Sequence, residues 1–199
     1  MTLPTAAPDH PTPPAPSAGP GATGEWRVLE LPMHDHRVQP LLEELAVEYD
    51  TRYGTLFGHK AASEELNRYP AEVFAAPEGA LLIVQERGES IAGGAFRRHD
   101  AETAEFKRIW THSAHRRRGL GRFVLDRLET LAAERGYRSI YLTTGPRQPE
   151  AKHLYLNTGY QPQFDLNADP ETIGALAFTK DLRQDPEATS RRPLTKEQP

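Results

Sequence analysis

The sequence predicts one α/β domain of mixed α+β character, with a sheet packed against segregated helices. Three observations predict it. Ala80–Thr111 reads as three strands, the first strongly apolar, separated by two polar turns, as in an antiparallel meander. An amphipathic helix, a short strand and a second helix follow in that order. The residues outside Glu25–Leu182 are too polar and proline-rich to join a core. Seven of the 18 prolines fall in residues 1–24, where Asp9 is the only charge and Met1 and Leu3 are the only large apolar side chains. Such a stretch buries too little surface to offset its ordering entropy, so a disordered Pro/Ala-rich tail is expected there. Residues 183–199, with three prolines, one leucine and seven charges, are expected to form a second disordered tail. The 158 residues of 25–182 remain, enough for one core.

Glu25–Leu31 alternates around Trp26 and Val28 and reads as a first strand. Asp35 is placed to cap a helix whose apolar positions Val38, Leu41, Leu42, Leu45 and Ala46 run to about Tyr49, with Pro40 near its start. Ser63–Tyr69 reads as a short helix ended by Pro70. Ala80–Gln85, Ser90–Arg98 and Ala104–Thr111 are three strands, joined by turns at Arg87-Gly88-Glu89 and Asp100–Thr103. Gly93-Gly94 allows a bulge or a close approach in the second of them. Gly119–Glu134 is a helix that buries Leu120, Phe123, Val124, Leu128, Leu131 and Ala132 and stops at Gly136. Ser139–Thr143 is a strand, Pro149–Asn157 a helix opened by proline and closed by Gly159, and Leu176–Asp181 a last strand.

Composition excludes several classes. The chain has no cysteine, hence no disulfide, thiolate metal site or cysteine nucleophile, and no metal is expected. Its longest apolar run, Ala80–Val84, is far short of the roughly 20 residues of a membrane span. The N-terminus lacks the basic start and apolar stretch of a secretory signal, so a cytoplasmic location is expected. The net charge of −4 disfavours bulk nucleic-acid binding.

Charge is unevenly spread. Between Arg97 and Arg122 eight Lys or Arg face three acids. At the end of this segment, Arg116-Arg117-Arg118-Gly119-Leu120-Gly121-Arg122 joins a strand to an amphipathic helix. Glycines let successive N–H groups converge, and the helix start adds unsatisfied donors and partial positive charge. That combination suits a phosphate or pyrophosphate. The spacing is one glycine short of a dinucleotide fingerprint, and no lysine follows the second glycine as a P-loop requires.

Arg116, Gly119 and Gly121 resemble the Arg/Gln-x-x-Gly-x-Gly/Ala loop of the GNAT superfamily of acyl-CoA-dependent N-acyltransferases, position for position. Downstream, Ala151-x-x-Leu154-Tyr155-x-x-x-Gly159-Tyr160 resembles that family's second signature. The resemblance implies a strongly twisted mixed sheet that splays open between the strand before the loop and Ser139–Thr143. It implies acetyl-CoA as co-substrate and acetyl transfer to a primary amine in a ternary complex. Ile109, Trp110 and Thr111 would meet the acyl and pantetheine part through backbone. Arg116, Arg117, Arg118, Gly119, Gly121 and Arg122 would surround the pyrophosphate. Gln148 stands where many members carry an asparagine that bonds the pantetheine arm.

Amine acylation benefits from a base for the ammonium and an acid for the leaving thiolate. Glu105, eleven residues before Arg116, stands where histone-type members place a glutamate base; the alternative is an ion pair with Lys107, Arg108 or a neighbour across the sheet. His112 is the second candidate base and His99 a third. Tyr155 matches the tyrosine that donates a proton to sulfur in many members. Glu43, Glu44, Glu48, Asp50, Arg52 and Tyr53 lie where the acceptor pocket is walled; these acids either attract a cationic amine or form a solvated helix face. The acceptor is a small molecule or a protein amine, no nucleic-acid or membrane partner is expected, and a homodimer is compatible with the family pattern. The alternative function is a non-catalytic acyl-CoA-binding or regulatory module.

Overall fold

Seven strands, β1 (Trp26–Glu30), β2 (Ala80–Glu86), β3 (Glu89–Arg98), β4 (Thr103–Thr111), β5 (Ser139–Thr144), β6 (Gln161–Pro162) and β7 (Leu176–Asp181), form one sheet in the computed structural model. Their order across it is β1-β2-β3-β4-β5-β7-β6. All neighbours are antiparallel except β4 and β5, which makes the sheet mixed. Among the described residues four helices flank it: α1 (Gln39–Phe57), α2 (Leu120–Glu134), α3 (Pro149–Asn157) and the single turn α4 (Pro170–Ile173). The structure describes residues 25–57 and 66–184, so both expected tails lie outside it save Arg183 and Gln184, which complete a 3-10 turn. The helix expected over Ser63–Tyr69 falls partly outside the described residues; within them Leu66 is helical and Asn67–Tyr69 form a turn. No helix among the described residues is long and apolar enough to cross a membrane.

The strand run Ala80–Val84 is continuously apolar because both of its faces are buried. Leu81 and Ile83 join a cluster with Val38, Leu41, Leu45, Phe74, Ala95 and Trp110 beneath α1. Ala80, Leu82 and Val84 point the other way, into the larger cluster under α2 and α3. There the α2 stripe of Leu120, Val124, Leu125, Leu128 and Ala132 is essentially fully buried, and each such leucine contributes about 1.5–3 kcal/mol. Phe123 lies at the edge of that stripe, half-buried against the Trp26 ring at 5.0 Å.

The turns form as their residues dictate. Arg87 and Gly88 both take positive φ between the paired Glu86 and Glu89, the backbone a two-residue hairpin requires. Asp100 accepts from the backbone N–H of Glu102 and Thr103 at the next turn. Two expectations about α1 are corrected. Asp35 caps the 3-10 turn His36–Val38 rather than the helix itself, accepting from the Arg37 N–H at 2.9 Å. The helix also runs past Tyr49 to Phe57, because its second half is tied to residues far along the chain, as described below. β6 and α4 were not foreseen; each is too short to carry a period.

One ion pair lies deep in the larger cluster. Glu129 of α2 is 1% exposed and accepts from Tyr160 Oη at 2.9 Å and Lys180 Nζ at 2.8 Å. Burial raises its carboxyl above the ordinary value, against the pull of Lys180.

Candidate functional site

The site begins with a fault in the sheet. β4 pairs with β5 only from Thr103 to Phe106, where Phe106 faces Leu142. Beyond that register β5 continues with β7, while β4 runs on to Thr111 beside β3 alone. A bulge accompanies the parting: Gly94 of β3 faces both Arg108 and Ile109, since Gly93 pairs with Trp110 and Ala95 with Lys107. Arg108 takes φ of 59°, costly for a residue with a side chain. Bulges bend a strand and increase its twist, which here swings the end of β4 away from β5. The edge of β4 over Lys107–Thr111 that faces β5 therefore has no strand partner among the described residues.

At the wide end of this opening the chain passes through the 3-10 turn Ser113–His115 into the Arg116–Gly121 loop. Arg117 has φ of 62°, and Gly119 caps α2 in the left-handed region at φ 80°. Phe123 N bonds Gly119 O as the first bond of the helix, so the N–H groups of the turn before Phe123 have no acceptor within α2. Gly121 lets α2 approach α3: a Cβ there would lie 3.1 Å from Leu154 Cδ2. Arg116, Arg117 and Arg122 are exposed. Arg118 is not, because it forms a double hydrogen bond to Glu86 of β2, at 2.7 and 3.0 Å, which lowers the Glu86 carboxyl and raises the guanidinium. Its side chain braces the loop, and its backbone remains in it.

Two acids of α1, Glu44 and Glu48, are engaged by other elements, while Glu43 and Asp50 lie exposed. Glu44 accepts from Trp110 Nε1 at 2.9 Å and from the Ser113 N–H and hydroxyl at 3.0 and 2.8 Å. Glu48 stands between three partners: Arg52 at 3.4 Å, Arg116 of the loop at 3.3 Å and Gln148 Nε2 at 3.0 Å. Arg52 continues to Glu150 and the Arg147 carbonyl, and Tyr53 Oη accepts from Arg147 N at 3.2 Å. These contacts hold the second half of α1 across the opening and explain why the helix outruns its apolar period.

Tyr155 projects from α3 with its ring between Tyr160 and Phe178, at 5.7 and 5.5 Å; the residue lines the pocket and its hydroxyl is buried. Burial pushes that hydroxyl well above the ordinary tyrosine value, so it stays a proton donor at neutral pH. Gln148 lines the same pocket. Its carbonyl oxygen accepts from Thr144 Oγ1 and Gly145 N at 3.1 Å each, which fixes the amide before α3 begins. Across from them the wall is Tyr49, Tyr69, Phe74, Lys107, Arg108 and Ile109. The space between holds about 600 Å³, counting the part open to solvent.

Glu105 is 4% exposed and sits just before the strands part, beside Tyr141 of β5. It pairs with Arg97 at 2.5 Å, its register partner on β3, and with Lys107 at 3.1 Å. Lys107 stands on the pocket wall and Glu105 behind it. His112 does not line the pocket: its Nδ1 accepts from Ala114 N and its Nε2 lies 3.6 Å from Glu44. His99 stacks on Tyr141 at 4.9 Å, near the closed end of the opening. Trp110 buries its ring under α1, leaving its backbone on the free stretch of β4. No group of His, Asp or Glu among the described residues could hold a metal ion. Sequence reasoning passed over Tyr49, Tyr69 and Phe74 as pocket residues. They carry no period or motif, and their convergence depends on the bulge and on α1.

The acetyltransferase (GNAT) family model matches residues 40–160, which span the site from α1 to Tyr160. A Bacillus subtilis (strain 168) protein described as the uncharacterized N-acetyltransferase YsnE is 33% identical over 116 residues, covering 55% of this chain and 76% of that protein. Among solved structures, the PaiA N-acetyltransferase of Thermoplasma acidophilum, in complex with coenzyme A, is similar in fold. Its TM-score is 0.59 at 14% identity, over 79% of this chain and 99% of that one. An acetyltransferase from Streptococcus agalactiae 2603 gives 0.58 at 18% identity, over 78% and 98%.

Proposed function

The chain belongs to the acetyltransferase (GNAT) family, whose reaction is acyl transfer from acyl-CoA, and on that footing we propose that it acetylates a primary amine directly from acetyl-CoA. The observation that carries the proposal is the junction of two features. A strand edge freed by the β4 bulge leads into the glycine loop at the α2 start, whose first amides have no acceptor within the helix, with Tyr155 on the pocket between the parted strands.

In this reading the pyrophosphate lies on the amides of Arg117–Arg122, with Arg116, Arg117 and Arg122 supplying exposed charge and Gly119 and Gly121 the close approach. Ile109, Trp110 and Thr111 offer backbone groups to the pantetheine arm, and an Ile109 N–H polarises the thioester carbonyl. Gln148 fixes the end of β5 beside the arm. The neutral amine nitrogen attacks the thioester carbon, the C–S bond breaks, and the thiolate takes the Tyr155 proton. Glu105 takes the amine proton through a water molecule, since its carboxylate stands behind Lys107. Without a cysteine no acyl-enzyme on sulfur forms, and proximity of the two substrates supplies much of the rate.

Titration calorimetry with coenzyme A and acetyl-CoA, together with thiol release over an amine panel, tests the proposal. Micromolar binding and amine-dependent release are expected; no coenzyme binding overturns it. Binding without turnover would select the alternative, an acyl-CoA-binding module. A second role for Glu105 is supported by its two cation partners, namely positioning Lys107. Glu105→Gln separates the two: loss of kcat by ~10–100-fold with a flattened acid limb of the pH profile marks the base, whereas a change confined to KM marks positioning.

A further inference from the structure

The acceptor side of the pocket has a charge that the chain as a whole does not. Among the described residues its walls contain two ionisable cations, Lys107 and Arg108, and no carboxylate. The carboxylates nearest to it are engaged: Glu105 by Arg97 and Lys107, and Glu48 by Arg52 and Arg116. The cluster formed by Arg97, Lys107, Arg108 and Glu105 is positive by two, within a protein of net charge −4. These cations are also stacked on rings. Arg97 lies 4.2 Å from the Tyr69 centroid, Lys107 5.7 Å from the same ring, and Arg108 4.4 Å from that of Phe74. Stacking holds the charged heads in place on an aromatic floor. Arg108 leaves the chain at the bulge, where β4 parts from β5, and its guanidinium is held over Phe74 by donating to the Leu66 carbonyl at 2.7 Å and to Met33 Sδ at 2.9 Å.

A cationic wall in a partly desolvated pocket attracts an anion and repels a second positive charge. Resting on the acetyl-transfer reading, we propose that the acceptor is a small amine that also bears a carboxylate, on an apolar or aromatic body, as in an α-amino acid. Lys107 and Arg108 hold the carboxylate, and Tyr49, Tyr69 and Phe74 pack the body. The same wall selects against polyamines and lysine-rich protein tails.

Matched acceptors test this with the full chain and acetyl-CoA: phenylalanine against phenylalanine amide and 2-phenylethylamine, and spermidine and a lysine peptide as cationic controls. The carboxylate-bearing member is expected to exceed its neutral partners by about tenfold or more in kcat/KM, the ratio that one good ionic contact gives. Lys107→Met and Arg108→Gln should bring that ratio toward one, and Arg108→Lys should retain most of it. Thermal unfolding of each variant establishes that it is folded. Preference for spermidine or the peptide, a ratio near one in the parent, or a ratio untouched by either neutral variant overturns the inference while leaving the acetyl-transfer reading intact. Failure of the parent to bind coenzyme A overturns both.

Discussion

Tyr155 separates fold from chemistry at a single atom. Its ring is wedged between Tyr160 and Phe178, the residue lines the pocket, and its hydroxyl is the proton donor of the proposed reaction. Tyr155→Phe keeps the ring and removes the proton donor. Steady-state kinetics should show kcat lower by ~10²-fold or more, while calorimetry shows coenzyme affinity within about twofold of the parent. This residue was legible in the sequence because it belongs to a local signature on one helix. Glu48 was visible but misread. Its partners Arg116 and Gln148 lie 68 and 100 residues away, and nothing in a helix face announces contacts at that separation. Arg118 shows the same limit: its place in a basic run says phosphate, and only the fold reveals Glu86 beside it.

The glycine loop and α2 were readable because a cap, an apolar stripe and a terminator all fall within one stretch of chain. The expected Gly119–Glu134 helix differs from the observed Leu120–Glu134 only by its cap. Gly119→Ala forces a side chain into the left-handed region. It should destabilise the protein by about 1–2 kcal/mol and weaken coenzyme binding, as chemical denaturation and calorimetry will show. Gly121 is the milder case, since only the flexible end of Leu154 must shift. The splay was expected from family resemblance, but the bulge that produces it was visible only as the pair Gly93-Gly94; that Arg108 would carry the positive φ was not. The contact of α2 with β7 through Glu129 and Lys180 makes a pH prediction. Burial raises the Glu129 carboxyl above its unfolded value of about 4.5, so the native state holds that proton more firmly than the unfolded state. Its contribution to stability is greatest below about pH 4.5 and is lost as pH rises through the raised value. The melting temperature of Glu129→Gln should therefore gain on that of the parent as pH climbs from about 5 toward about 8.

Taken whole, the molecule is acidic with a basic rim on one opening, so the proposed coenzyme site is electrostatic in part. Arg117→Ala and Arg122→Ala should each raise the coenzyme Kd about 3–10-fold at low ionic strength, with a flatter salt dependence than the parent in a calorimetric titration. The two-faced burial of β2 explains why composition understated the core. Its 37% hydrophobic content is an average over a polar periphery and strands packed on both sides. The short strand β6 has a further consequence. It closes the sheet at one rim with two residues, the second of them Pro162, which has no N–H to donate. That rim offers no template on which another chain's strand could grow, so it resists the edge-to-edge polymerisation to which open sheets are prone. The notch beside β4 differs from such a rim, because it lies inside the molecule where a narrow extended arm fits better than a neighbouring protein.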